Sequence, residues 1–170
     1  MISIKKFYNE IKDINYGWHD KNKVLHEKLT EGDFAKEYKM QRIKDIKKTN
    51  YAICWEMCEL QRKYFRKRQI KHYTIFAILK KHKRLPCHTF SVIEYNNKYY
   101  WFEASWSKEK GIHEFNSLTE ILEFYRNNFH DFCKGEYNPN NLEFYKYLKP
   151  PIRMNCNMFY FWCMHGIKIK

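Results

Sequence analysis

Apolar residues recur every three or four positions in three segments of the chain, the spacing that places side chains on one face of a helix. The segments cover residues 1–13, 49–68 and 118–129. Ser117 directly precedes the last segment, and Glu120 lies three positions after Ser117, which is the pattern of a capping box. We therefore predict an N-terminal helix, a central helix and a helix in the C-terminal half.

The segment from Thr49 to Arg68 predicts the helix around which the fold is organised. One largely apolar arc carries Cys54, Met57, Cys58, Leu60, Gln61, Tyr64 and Phe65. The opposite, charged arc carries Glu56, Glu59, Lys63 and Arg66. Thr49 and Asn50 are good N-cap residues, since their side-chain oxygens accept hydrogen bonds from the unpaired amides of a first turn. Cys54 is therefore expected on the buried face, close to the N-terminus of the helix.

Residues 88–95 and 98–106 are rich in β-branched and aromatic side chains and flank the dipeptide Asn96-Asn97. Asparagine tolerates the positive φ that a two-residue hairpin turn requires. The pattern predicts an antiparallel hairpin in which Tyr95 pairs with Lys98.

Other segments complete the expected sheet. Residues 70–78 favour a strand, and residues 111–115 close the sheet region. Residues 142–148 favour a short helix or an extended segment, and residues 158–162 favour an edge strand that packs on the core. We therefore predict an α+β protein with a central helix packed on an antiparallel β-sheet and a following helix. Residues 131–170 are expected to form a C-terminal extension that packs on this core.

Length and composition indicate one folded domain spanning residues 1–170. The chain has 32 Lys and Arg against 19 Asp and Glu, a net charge of +13. This excess is typical either of a protein that binds an acidic partner, such as nucleic acid or an acidic protein, or of a protein whose lysines are dispersed over a solvated surface. The candidate basic patch comprises residues 80–84 and Lys67-Arg68.

The N-terminal residues lack the apolar core of a signal peptide, and no apolar run has the length of a membrane span. We expect a soluble, cytoplasmic protein with no membrane partner. Such a compartment keeps thiols reduced, so disulfides are not expected. The six cysteines are Cys54, Cys58, Cys87, Cys133, Cys156 and Cys163.

Three residues form a candidate catalytic set. A thiolate at Cys54 is stabilised by the positive end of the helix dipole, which predicts a lowered pKa. In the predicted hairpin His88 and Glu103 are diagonal neighbours on one face, so the carboxylate can orient the imidazole. Each residue alone also has a structural interpretation, as a core cysteine, a satisfied strand histidine or a surface charge. Together they match the nucleophile, base and orienter of thiol acyl-transfer enzymes.

The order of these residues is similar to that in the transglutaminase-like superfamily of papain-like cysteine enzymes. The segments that resemble motifs of its small bacterial and phage members are Ile53-Cys54-Trp55-Glu56, His88-Thr89-Phe90, Tyr100-Trp101-Phe102-Glu103, Tyr16-Gly17-Trp18 and Gly111-Ile112-His113. The resemblance covers roughly residues 14–130. Two positions depart from the usual pattern, because Ala52 stands where glycine is common and Glu103 where aspartate is more frequent.

The resemblance implies an α+β papain-like fold with Cys54 as nucleophile, His88 as general base and acid, and Glu103 as the group that orients it. It implies a thiol protease, amidase or transglutaminase-like hydrolase or acyltransferase that acts on a protein or peptide through a Cys54 thioester, without a cofactor. It does not identify the substrate or the acceptor. Trp18, Trp55 and Trp106 are the predicted substrate-binding residues, although core packing explains tryptophan equally well.

Two alternatives are open at this point. Cys54, Cys58, Cys87 and His88 have the residue types of a zinc site, as do Cys156, Cys163 and His165, but the first spacing is not that of a zinc ribbon or finger and the second is equally unspecific. The second alternative is a non-enzymatic module on the same fold that binds nucleic acid or an acidic protein through the basic patch and nearby aromatic rings.

Overall fold

A computed structural model describes residues 2–82, 85–133, 136–151 and 153–169 of the chain. Its helices are α1 (Ile2–Ile11), α2 (Phe34–Glu37), α3 (Ile43–Thr49), α4 (Cys54–Lys67), α5 (Leu118–Asn128) and α6 (Cys156–Met164). Its strands are β1 (Asn15–Tyr16), β2 (Trp18–His19), β3 (Leu25–His26), β4 (Tyr51–Ala52), β5 (His72–Leu79), β6 (Cys87–Tyr95), β7 (Lys98–Glu103), β8 (Gly111–Phe115), β9 (Leu142–Lys146) and β10 (Ile167–Ile169).

Six strands form one antiparallel sheet in the order β10-β9-β5-β6-β7-β8. The predicted hairpin is confirmed, because Tyr95 pairs with Lys98. Asn96 and Asn97 have φ values of 49° and 57°, the left-handed conformation that a two-residue turn requires. The strands predicted over residues 70–78 and 111–115 are also present, as β5 and β8.

Helices cover both faces of this sheet, and the residues of β5 show how the faces are divided. Phe76 and Ile78 belong to the cluster that contains residues of α4 and α6. Ile75, Ala77 and Leu79 alternate with them and pack with the buried side of α5. Because both faces are buried, the strand reads as a continuous apolar run. The molecule is thus a mixed α and β structure built on a large antiparallel sheet.

The central helix begins at Cys54, three or four residues later than an N-cap at Asn50 or Thr49 predicts. Thr49 ends α3, and Asn50 follows in the left-handed conformation with φ of 57°. Tyr51 and Ala52 then form β4, which pairs in parallel with β1. The prediction was wrong about the helix start because this pairing captures the backbone that would otherwise form the first turn. As a result Cys54 is the first residue of α4.

The predicted charged arc of the central helix is also partly wrong. Glu56 is fully buried and Glu59 is 9% exposed. Glu59 is paired with the buried Arg62, whose Nε lies 3.0 Å from a Glu59 oxygen. The helix is covered by the sheet and, on another side, by the chain around Tyr38, so its solvent-facing arc is narrower than an amphipathic pattern suggests.

The C-terminal region is helical where an edge strand was predicted. Residues 158–162 lie within α6, and Asn155 caps this helix by accepting from the N–H of Met158. The edge strand is β10, which begins directly after Gly166, three residues beyond the end of α6. Phe159 of α6 stacks on Trp55 of α4 with 4.0 Å between ring centroids. Because Phe159 of this run packs against α4, it is buried without pairing at a sheet edge.

Candidate active site

The first residue of α4 places the Cys54 side chain at the N-terminal end of the helix dipole. Hydrogen bonding of the first turn begins with the N–H groups of Glu56 and Met57, which donate to the carbonyl of Ile53. The N–H of Cys54 has no acceptor within the helix and is therefore free to bind an oxygen outside it. The Cys54 side chain is buried, with 5% of its surface exposed.

The start of β6 and the end of β7 bring His88 and Glu103 together, as the hairpin register predicted. The imidazole Nε2 lies 2.9 Å from a Glu103 oxygen. The other carboxylate oxygen accepts from the backbone N–H groups of Ser105, at 2.7 Å, and Trp106, at 2.9 Å. These three hydrogen bonds hold the carboxylate in one orientation, and the carboxylate in turn holds the imidazole ring.

The second nitrogen of His88 remains for the thiol. Cys54 is close enough to the imidazole to raise the pKa of His88. Since Nε2 is taken by Glu103, Nδ1 is the nitrogen that can face Cys54. The structure thus brings together the three predicted catalytic residues, which lie 34 and 15 positions apart in the sequence.

Burial and the neighbouring charges shift the pKa of His88 in opposite directions. Burial alone lowers the pKa of the imidazole, but the charges of Glu103 and Cys54 and the hydrogen bonds to both outweigh it, and the pKa rises to about 10. Burial would raise the pKa of Glu103, yet His88 and the two backbone N–H donors hold it below its usual value. The arrangement therefore favours an imidazolium next to a carboxylate at neutral pH.

Aromatic rings surround the imidazole and keep it from water. The rings of Phe132 and Tyr125 lie roughly parallel to it, with centroids at 5.1 and 6.4 Å. Trp106 meets it edge-on at 6.2 Å. His88 is 3% exposed and Glu103 is 1% exposed. Charge interactions between the two side chains are strong in such a dry environment.

The three predicted substrate-binding tryptophans are all buried. Trp18 is fully buried and stacks on His26 at 4.3 Å. Trp55, the residue after Cys54, stacks on Phe159, and Trp106 contacts His88. Trp18 and Trp55 belong to the buried cluster that also contains Cys54, and a direct contact with substrate stays a prediction.

Sequence reasoning overlooked Glu56, which anchors the N-terminus of α4. Its carboxylate accepts from the Tyr38 hydroxyl at 2.9 Å, from the Gln41 backbone N–H at 2.9 Å and from the Ile53 N–H at 3.0 Å. The third position of a helix is where a carboxylate reaches back to the N-cap amide. That position was recognisable only once the helix start was known. Glu56 therefore links the segment before α3 to the turn that carries Cys54.

The burial of Glu56 makes the stability of the fold depend on pH. Burial raises its pKa from 4.5 to about 7, more strongly than its hydrogen bonds lower it. Between these values the folded chain binds a proton that the unfolded chain has lost, so stability falls as the pH rises. In Glu56→Gln, which mimics the protonated acid, we expect this loss, on the order of 3 kcal/mol, to disappear. Urea unfolding of wild type and Glu56→Gln at pH 5 and pH 8 measures this change in the free energy of unfolding.

A matched control is Glu123→Gln, since Glu123 is an exposed carboxylate on α5. Its stability relative to wild type should be independent of pH over the same range. An equal pH dependence of unfolding in wild type and Glu56→Gln would show that Glu56 does not take up the proton.

Two further thiols of the first alternative zinc site contact protein hydroxyl groups. The Cys58 thiol lies 3.5 Å from the Thr89 hydroxyl, and the Cys87 thiol lies 2.9 Å from the Tyr160 hydroxyl. Nδ1 of His165 donates to the Phe161 carbonyl at 2.8 Å. In the part of the chain that the structure describes, no three His, Cys, Asp or Glu side chains are arranged to hold a metal ion.

The candidate basic patch is described only in part, because Lys83 and Arg84 lie outside the described residues. Lys80 is 3.7 Å from a Glu143 oxygen. The Arg68 guanidinium lies over the Tyr64 ring at 3.8 Å. Nucleic-acid binding through this patch stays a prediction.

None of the helices within the described ranges is both long and apolar enough to span a bilayer. Comparison of the chain with protein-family models, with curated proteins and with solved structures produced no match in any of the three.

Proposed function

We propose that the protein catalyses acyl transfer at an amide bond through a thioester on Cys54, on a papain-like core of the transglutaminase-like type. The observation that carries the proposal is the hydrogen bond between His88 and Glu103, together with the position of Cys54 at the start of α4, where it raises the pKa of His88. A buried cysteine in a purely structural role has no need of a charged imidazole next to it, because the neutral thiol packs as a small apolar group.

The first half of the reaction forms the thioester. The Cys54 thiolate attacks the amide carbonyl, and the carbonyl electrons move to its oxygen. The N–H of Cys54 donates to this oxygen, since it has no partner within the helix. The imidazolium of His88 then protonates the amine nitrogen as the C–N bond breaks, and a neutral amine leaves.

The second half regenerates the thiol. His88, now neutral, takes a proton from the acceptor, whose oxygen or nitrogen attacks the thioester carbonyl. The C–S bond breaks and the Cys54 thiolate returns beside the imidazolium. Water as acceptor releases a carboxylic acid, whereas an amine yields a new amide. We favour hydrolysis over cross-linking, because the small members of the superfamily that the chain resembles are more often associated with peptidase-like chemistry.

The test is the pH dependence of iodoacetamide alkylation, read at each cysteine by mass spectrometry in wild type and His88→Ala. We expect Cys54 to be alkylated well below the pKa of about 8.5 of a free thiol. In His88→Ala the onset should move up towards that value, because the imidazolium that stabilises the thiolate is gone. Cys133 provides an internal reference, since burial raises the pKa of its half-buried thiol.

The matched control is His113→Ala, which removes a half-buried histidine on β8 and should leave the Cys54 onset unchanged. If Cys54 in the folded wild-type protein resists alkylation until the chain unfolds, Cys54 is a core residue and the proposal is wrong.

A further inference from the structure

We propose that the Tyr16 hydroxyl is the second hydrogen-bond donor to the oxyanion that forms on the carbonyl bound to Cys54. This inference rests on the proposed acyl transfer and adds to it a catalytic residue in a different part of the chain. From the sequence alone this side chain stands out only within Tyr16-Gly17-Trp18, one of the segments that resemble family motifs.

The β-ladder beside the nucleophile places Tyr16 at the site. Tyr16 of β1 is paired in parallel with Ala52 of β4, two residues before Cys54. The next amide, that of Gly17, donates to the Ala52 carbonyl at 3.4 Å. The half-buried Tyr16 ring packs against the apolar cluster to which Cys54 belongs. The pairing therefore fixes the backbone of Tyr16 alongside the start of α4.

The surroundings of the phenol point to the nucleophile. Burial raises the pKa of Tyr16 well above its ordinary value, and Cys54 is the foremost of the charges that raise it further, followed by Cys87. The hydroxyl therefore keeps its proton over the whole working range of pH and stays a donor. Among the described residues none accepts this proton. By contrast, the hydroxyl of Tyr38 donates to Glu56, and that of Tyr160 contacts Cys87.

A tetrahedral oxyanion has room for two donors, and α4 supplies one in the N–H of Cys54. A neutral hydroxyl is suited to be the other, because it stabilises charge that develops only in the transition state. Removing one such donor typically slows acyl transfer by about 10²- to 10³-fold. Alkylation by iodoacetamide is a direct displacement at carbon and forms no oxyanion, so it should not depend on Tyr16.

The two reactions separate the role of Tyr16 from that of the thiol. Acylation of Cys54 by p-nitrophenyl acetate and alkylation by iodoacetamide are measured in wild type, Tyr16→Phe and Tyr51→Phe. Phenylalanine keeps the ring and its packing. Tyr51 is the matched control, because it lies on the partner strand β4 and its hydroxyl contacts Glu27 at 3.4 Å. We expect Tyr16→Phe to lower the acylation rate by about 10²-fold or more, with alkylation unchanged and Tyr51→Phe unaffected in both.

Other outcomes overturn the inference. Equal acylation rates in wild type and Tyr16→Phe would show that the hydroxyl is not a donor to the oxyanion. A parallel loss of acylation and alkylation would show that Tyr16 acts on the thiol instead. If wild-type Cys54 reacts with neither probe, the proposed function itself fails and the inference falls with it. That last result is distinct from the first two, in which wild type reacts normally.

Discussion

Replacing Cys54 with alanine is expected to abolish the rapid release of one equivalent of p-nitrophenolate from p-nitrophenyl acetate. The reason is that no other described thiol combines a helix N-terminus with a charged imidazole. Loss of a nucleophile from a catalytic unit typically costs about 10⁶-fold in rate. Stopped-flow absorbance measures the burst, and intact mass spectrometry detects the acetyl group on the protein.

Cys58→Ala is the matched control for this experiment. Cys58 lies one turn further along α4, is 1% exposed and contacts the Thr89 hydroxyl. Burial raises the pKa of its thiol, so it should stay protonated and unreactive. The burst should persist in Cys58→Ala. A burst that survives in Cys54→Ala but disappears in Cys58→Ala would place the nucleophile one turn away from the proposed site.

Replacing Glu103 with glutamine is expected to have the second largest effect. The carboxylate accepts three hydrogen bonds, from His88 and from the backbone of Ser105 and Trp106. An amide provides only one acceptor oxygen, so it cannot serve the imidazole and both backbone donors. The orientation of His88 and the stabilisation of its charged form are lost together. We expect acylation of Cys54 to slow by about 10²- to 10⁴-fold.

The pH profile of the same variant distinguishes an electrostatic effect from simple unfolding. Glu103 raises the pKa of His88, so its removal should lower that pKa and shift the onset of Cys54 alkylation to higher pH. Glu114→Gln is the control, since Glu114 is an exposed carboxylate on the neighbouring strand β8. An unchanged alkylation profile in a folded Glu103→Gln protein would mean that the carboxylate does not tune the site.

The hairpin shows what local chemistry can specify. Asn96 and Asn97 accept positive φ at little cost, so they define a two-residue turn, and the turn defines the register of both strands. The closeness of His88 and Glu103 follows from that register. Ser117 likewise accepts from the N–H of Glu120 at the start of α5, as its pattern indicated. These features are predictable because the groups involved are neighbours in sequence or across one turn.

The central helix shows where local preference is overridden. Thr49 and Asn50 are favourable N-cap residues, but Asn50 ends α3 and the next two residues pair with β1. A strand partner 36 positions earlier cannot be read from the helical pattern. The same limit applies to Glu56, whose burial depends on Tyr38 and Gln41.

By itself the sequence determined the hairpin, its register and the cap of α5, because each depends on contacts within a few residues or one turn. The order of a cysteine, a histidine and a carboxylate is likewise a property of the sequence alone. Only the tertiary structure decided that Cys54 is the first residue of α4, that residues 158–162 are helical, and that Tyr16 pairs with Ala52, two residues before Cys54. Those three depend on packing between distant segments, where the free energy of burial exceeds the small preferences of the local chain.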